Sequence, residues 1–122
     1  MRVVHEPADG GRRVLATNAE RADSTLSQFL GMRFRREVPE GYALVFEFGS
    51  PKWGLTDMLF VPVPLDVVWV RDGEVVRVER LAPWRGLALV RSDGFVEFTA
   101  GTADGVEPGD RLHVEDDPGS ER

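Results

Sequence analysis

Two aspartates and one arginine set the chemistry to consider first. Asp66 stands at the entry to Leu65–Val70, the most apolar run of the chain, and Asp110 closes a Pro108-Gly109-Asp110 turn. A carboxylate beside so apolar a segment has to be paired, hydrogen-bonded or open to a cleft, because an isolated buried charge is costly or titrates away. Two carboxylates whose environments separate their pKa values can divide the work of general acid and general base, and Arg35 could hold an anionic group beside them. Each aspartate also has a structural reading, as acceptor for backbone N–H groups at a turn. That reading is preferred, because spacing in sequence says nothing about proximity in space.

Arg33, Arg35 and Arg36 could form an anion-binding edge, since guanidinium forks match carboxylates and phosphates. Glu37 and Glu40 offer internal partners that would make the same segment a salt-bridged, solvated face. Trp53 and Trp84 fall in loops, where an indole can stack on a sugar or a partner or simply cover a core edge. The binding candidates are therefore Arg33, Arg35, Asp57, Asp66, Trp84 and Asp110. His5 and His113 lie near opposite ends of the chain with no ligand pattern around them, so no metal site is expected. No cofactor is expected either: Gly101–Gly109 lacks the lysine and helix of a phosphate loop, and no serine occupies a nucleophile elbow. The absence of cysteine excludes disulfides, zinc–thiolate sites, iron–sulfur clusters and thiol catalysis.

The elements that must position these groups read as strands. Thr56–Val70, TDMLFVPVPLDVVWV, is short for a membrane span, and Pro62 and Pro64 would break a helix. It divides into Met58–Val61 and Leu65–Val70, the second with apolar groups for both faces of a sheet, as a central strand requires. Arg2–His5 and Arg13–Ala16 predict an opening hairpin around Pro7–Gly11. Thr17 and Glu20 have capping-box spacing and predict a helix within Asn18–Leu30, its apolar face Ala19, Ala22, Leu26, Phe29 and Leu30, with Gly31 as the stop. Met32–Arg35 and Tyr42–Phe48 alternate as strands, and Gly49–Gly54 reads as a loop. Asp72-Gly73 predicts a hairpin pairing Leu65–Val70 with Val75–Leu81. Leu87–Arg91 and Phe95–Thr99 flank a turn at Ser92-Asp93-Gly94, Thr102–Gly105 makes one turn, and Arg111–Val114 is the last strand.

The expected fold is mainly β: an antiparallel β-sandwich or partly open β-barrel of about seven to nine short strands with one short helix. Leu44, Phe46, Leu65, Val67, Trp69, Val76, Val78 and Phe98 should pack as its core. Residues 1–114 are expected to form a single globular domain and 115–122 a disordered acidic tail. At 122 residues the chain is large enough for one core, and its net charge of −6 argues against nucleic acid as a partner. Lys52 is the only lysine among 15 basic residues, which suits a high-GC coding sequence or an acidic, halophile-like surface. Met1–Pro7 turns polar before any signal-peptide core, so a cytoplasmic protein with no membrane association is expected.

Several blocks recur in an order that carries a resemblance. Thr17 is followed by Glu20-Arg21; Gly31-Met32-Arg33-Phe34-Arg35 comes next; then Met58, Pro64-Leu65-Asp66 and Asp72-Gly73; then Glu97, Ala100-Gly101, Ala103 and Gly109-Asp110. Over Val14–Val114 the chain resembles the bacterial and archaeal family known as domain of unknown function 192. It departs from that pattern at Leu59 and Phe60, where the family has Lys-Asn, at Asp57, where it has tryptophan, and at Arg33, where it has methionine. The resemblance implies a mainly antiparallel β fold with one short helix and no known activity. A non-catalytic module for a small polar ligand or a protein partner is the leading reading. An acid–base hydrolase or lyase using Asp66, Asp110 and Arg35 comes second. A structural homo-oligomeric subunit, a homodimer through an exposed strand edge, comes third.

Overall fold

The computed structural model describes residues 1–24 and 31–116. Its strands are β1 (Arg2–Glu6), β2 (Arg13–Ala16), β3 (Asn18–Arg21), β4 (Tyr42–Asp57), β5 (Leu65–Arg71), β6 (Glu74–Leu81), β7 (Leu87–Thr99) and β8 (Arg111–Glu115). They form one eight-stranded sheet in the order β2-β1-β8-β6-β5-β7-β4-β3. The β3–β4 pair is parallel and the other paired strands run antiparallel. The ladder does not close on itself. Its two end strands, β2 and β3, are nonetheless consecutive in the chain, and Ala19 N donates to Met1 O at 3.0 Å. No helix occurs among the described residues, and none is long and apolar enough to cross a membrane.

β5 is the centre because its valines, leucine and tryptophan supply apolar groups to both faces. Leu65, Val67, Val68 and Trp69 are all buried, and β6 and β7 pair along its two edges. The Asp72-Gly73 hairpin joins β5 to β6, with Asp72 at φ 52° and Gly73 at φ 75° as a tight turn requires. The opening hairpin β1–β2 and the last strand β8 also form where the sequence predicts them.

The predicted helix does not begin at Asn18. Asn18–Arg21 is strand β3, parallel to Tyr42–Val45, and the N–H groups of Thr17 and Asn18 both donate to Gly41 O, at 3.1 and 2.9 Å. The free edge of β4 offers these backbone groups a ladder and buries Ala19, and that tertiary pairing outweighs the local capping preference. Leu26, Phe29 and Leu30 lie outside the described residues. Met58–Val61 is a turn rather than a strand, with Val61 N on Met58 O at 2.9 Å, and Met32–Arg35 is likewise a turn, with Arg35 N on Met32 O at 3.2 Å. The apolar residues there belong to loops folded over the sheet. Gly49–Gly54 is no loop, since β4 runs 16 residues through it with a register shift between Glu47 and Lys52. β7 likewise runs 13 residues through Ser92-Asp93-Gly94. Gly94 is required there by close approach, not by a turn: a Cβ would stand 2.6 Å from Phe46 O. β8 extends through Glu115, which pairs with Arg2 and Arg12.

The predicted core divides between two faces. Leu44, Phe46, Leu65, Val67 and Trp69 cluster with Met32, Met58, Val61 and Leu81, and Val76 packs against them. Phe98 lies on the opposite face with Val3, Val45, Val68, Val96 and Leu112, where Val78 joins it. The two-residue period of a strand dictates this on β4, β5 and β7, while Val76 and Val78 part where the β5–β6 register shifts. Leu44 and Val67 both stand opposite Glu97 on β7, so the first face receives Glu97 and the second receives Phe98.

Candidate functional site

Glu97 places a carboxyl within an apolar face. It is 7% exposed, and its Oε1 has no hydrogen-bond partner among the described residues. Burial drives its pKa from 4.5 up to about 7; the positive charges of Arg33 and Arg35 oppose the rise and Asp57 adds to it. At neutral pH the group is present both as an acid that can donate and as a carboxylate that only accepts.

Around it lies a cleft of about 80 Å³ whose lining includes Gly31, Met32, Arg33, Thr56, Asp57 and Val61. Sheet and loops divide the task of building it. β4 and β7 supply Thr56, Asp57 and Glu97, while the turns at Gly31–Arg35 and Met58–Val61 supply the rest. Arg33 clamps Asp57 with both arms of its fork, Nη1 to Oδ1 at 2.8 Å and Nη2 to Oδ2 at 2.9 Å, and also donates to the Leu59 carbonyl. Leu59 N donates to Asp57 Oδ1 at 3.0 Å. The Arg33 hydrogen bond outweighs partial burial and holds the Asp57 carboxyl below its ordinary value, and the same bond raises the guanidinium.

A second cleft, about 180 Å³, continues along the same face past Phe48, Trp69, Val90 and Ser92, sharing Phe46, Leu55, Thr56 and Phe95 with the first. Its walls are aromatic. Phe46 and Phe95 stack with centroids 4.4 Å apart, and Phe48 meets Phe95 edge-on at 5.8 Å. On the Tyr42 side, the Arg35 guanidinium lies 5.1 Å from the Tyr42 ring centroid and makes no ion pair among the described residues. The buried Tyr42 hydroxyl also lacks a partner there.

Trp84 stands edge-on to Phe60, which in turn stacks on Phe34, at 5.6 and 5.2 Å. These three bulky residues all have left-handed backbone, with φ of 65° at Phe34, 62° at Phe60 and 66° at Trp84. Phe34 N donates to Phe60 O at 2.6 Å and Trp84 N to Val61 O at 3.1 Å, so the strained residues tie together the loops carrying Arg33 and Val61.

Asp66 and Asp110 are both held by structural donors. Asp66 projects from β5 to the face opposite Glu97 and accepts from Arg80 Nε at 2.8 Å, Gly101 N at 2.8 Å and Ala103 N at 3.0 Å. Its arginine is therefore Arg80, directly across the β5–β6 pair, and not Arg35. Asp110 accepts from His5 Nε2 at 2.7 Å and from the N–H groups of Ala8 and Glu107, each at 2.9 Å. Burial pushes its carboxyl up, but the His5, Glu107 and Ala8 hydrogen bonds together leave it below its ordinary value. Arg13 Nε can only donate, so His5 Nδ1 accepts that bond at 3.0 Å and Nε2 carries the hydrogen given to Asp110. The two aspartates share no partner, and Arg35 bonds neither.

Asp66→Asn is expected to cost about 2 kcal/mol, because one carboxylate oxygen becomes an NH₂ that faces either the Gly101 and Ala103 N–H groups or the Arg80 guanidinium, donor against donor. Urea denaturation checks this, and an unchanged midpoint would remove the structural role assigned to the carboxylate.

Sequence reasoning passed over Glu97 as a site, although it stands in the quoted motif. The signal was present: a central strand apolar on both faces implies that the segment paired with it is covered on both faces, and Glu97 is the one charge in the part of β7 that pairs with β5. No cluster of three or more His, Cys, Asp or Glu among the described residues is placed to hold a metal ion.

The family described as DUF192, an uncharacterised ACR, matches residues 6–114. No curated protein matches the chain. One similar solved structure is described as a putative transcription regulator from Sinorhizobium meliloti 1021, with 27% identity and a TM-score of 0.82 over 92% of this chain and 91% of that one. Another is a protein of unknown function from Novosphingobium aromaticivorans DSM 12444, with 23% identity and a TM-score of 0.81 over 93% and 84% of the two chains.

Proposed function

Because the chain belongs to the family of domain of unknown function 192, whose description names no reaction, the site has to be judged on its own chemistry, and we propose that it is a non-catalytic module holding a small polar ligand in the cleft at Glu97. The observation that carries this reading is the Glu97 carboxyl, nine-tenths buried, with Oε1 unpartnered among the described residues and a cleft beside it. A buried polar atom left unsatisfied costs stability, and a ligand that pairs with it recovers that loss on binding. The hydrolase or lyase reading loses support because Asp66 and Asp110 are each occupied by backbone and side-chain donors.

One structural neighbour is described as a putative transcription regulator. With a net charge of −6 this chain is poorly suited to neutralising phosphates, so a regulatory role would run through ligand or partner binding rather than duplex contacts. The same reading takes the sheet, whose end strand β3 reaches Met1, just ahead of β1, through the Ala19 N–H, as a partly open barrel around the second core face.

Amide NMR spectra recorded against a library of small polar fragments test the proposal. Binders should shift Gly31, Thr56 and Glu97, and the shifts should vanish in Glu97→Ala. Binding that leaves those amides unmoved would overturn it.

A homo-oligomeric subunit is a second reading, favoured by the ribbon formed by the C-terminal half of β4 and the N-terminal half of β7. There Trp53, Leu55, Leu87 and Leu89 are exposed on one face, with Leu55 directly opposite Leu89. Sedimentation equilibrium showing only monomer would dismiss it.

A further inference from the structure

β8 meets β6 at one ladder pair, Glu74 with Arg111, and then runs on past the Asp72-Gly73 turn, where Leu112 N donates to Gly73 O at 2.9 Å. Leu112 and Val114 therefore have no β6 ladder partner. They line instead a cavity of about 440 Å³, together with Val45 of β4, Val70 of β5 and Val96 of β7, strands to which β8 is not paired. All of these aliphatic residues belong to the second core face, with Val45, Val96 and Leu112 buried and Val70 and Val114 half-buried. A cavity of this size with apolar walls and a few polar groups is the usual form of a small-molecule site, and the mouth of a curled sheet is a usual place for one.

The polar side chains along it are those of Arg21, Glu47, Asp93 and His113. Arg21 is fully engaged, Nε donating to Glu47 Oε1 at 2.7 Å and Nη1 to the Met1 sulfur at 2.8 Å. His113 stands between Glu6 and Glu115, at 3.5 and 3.2 Å. Arg111 does not line the cavity and donates to Asp72 O at 2.8 Å. Asp93 is half engaged: Oδ2 accepts from Asp72 N at 2.7 Å, and Oδ1 has no partner among the described residues. Two carboxylates against one guanidinium leave the cavity with a negative charge in excess, in a chain whose net charge of −6 already draws cations.

We propose that this cavity is a second binding site, separate from the Glu97 cleft, for a small primary amine with an aliphatic body. The ammonium rests on Asp93 Oδ1, and the body lies among Val45, Val70, Val96, Leu112 and Val114. A carboxylate would face Glu47 and Asp93 with Arg21 already taken, and an alcohol would leave the excess charge unanswered. Asp93 is only partly buried, so an ammonium at its side keeps part of its hydration and avoids the cost of a fully buried ion pair.

Hexylamine, hexanol and hexanoate, titrated separately at neutral pH and followed by calorimetry and amide NMR, test the class. Hexylamine is expected to shift Val70, Gly94 and Val114, while Gly31 and Thr56 in the Glu97 cleft stay in place. Asp93→Asn keeps an oxygen for Asp72 N and removes the charge, so it should weaken hexylamine about tenfold. Val70→Phe puts a ring into the cavity and should abolish the shifts; its own amide spectrum shows whether it folds, and the three probes on the parent protein decide without it. Hexanol or hexanoate moving those amides at least as tightly as hexylamine would overturn the amine assignment, as would hexylamine binding that ignores Asp93→Asn. Hexylamine that moves Gly31 and Thr56 instead, or no amide at all, would overturn the site itself.

Discussion

Glu97→Gln is expected to unfold at a higher temperature than the parent at pH 8 and at nearly the same temperature below pH 4.5. The folded protein holds this carboxyl at about 7, against an ordinary value of 4.5. Below 4.5 the group is protonated in both states and contributes no difference. Between 4.5 and 7 the unfolded chain ionises while the folded one does not, so stability is lost progressively as pH rises, and the loss is complete once pH has passed about 7. The separation between those values corresponds to at most about 3 kcal/mol. Glutamine keeps the size of the side chain and removes the titration, so the variant escapes that loss. Thermal melts of both proteins at pH 4, 6 and 8 read the effect, and a difference that does not change with pH would show that Glu97 is not the group responsible.

Phe46→Ala should be the more damaging change, at about 3–5 kcal/mol. The ring is buried in the first core face, stacks on Phe95 at 4.4 Å, and borders both clefts on that face. Truncation joins those clefts through the space the ring vacates, and the strands around it, held by ladders on both sides, have little freedom to collapse inward. Urea unfolding should show a lower midpoint with an unchanged slope. A midpoint shift worth under about 1 kcal/mol would contradict the assignment of Phe46 to this core.

The strands most legible in the sequence were those with turns written beside them. Asp72-Gly73 located β5 and β6, and Pro7–Gly11 located β1 and β2, because local residues alone set those geometries. β3 was illegible for the converse reason: Thr17 and Glu20 spell a helix start, while the partner that makes Asn18–Arg21 a strand lies more than twenty residues away on β4. The arginine that serves Asp66 was hidden by one residue. Counting outward from the Asp72-Gly73 turn in strict register sets Asp66 opposite Glu79, and the irregularity between Trp69 and Val70 moves it to Arg80. The site itself could be located only through its face. Arg33, Arg35 and Asp57 were legible as charged groups, but their relation to Glu97 depends on which side of β7 points inward, and alternation gives no answer where both sides are covered.

The pairing of β1 with β8 has a consequence for how the protein is made. Arg2 and Glu115 are hydrogen-bonded across a separation of 113 residues, and β1 pairs along its whole length with β8. During synthesis at about 5–20 residues per second, β1 is translated roughly 5–20 s before its partner. Throughout that interval Val3 and Val4, completely buried in the finished fold, lie on a strand whose one available ladder partner is the short β2. The first of the eight strands to be synthesised is thus among the last to reach its final partner, and the hazard of misassembly on the ribosome is concentrated there.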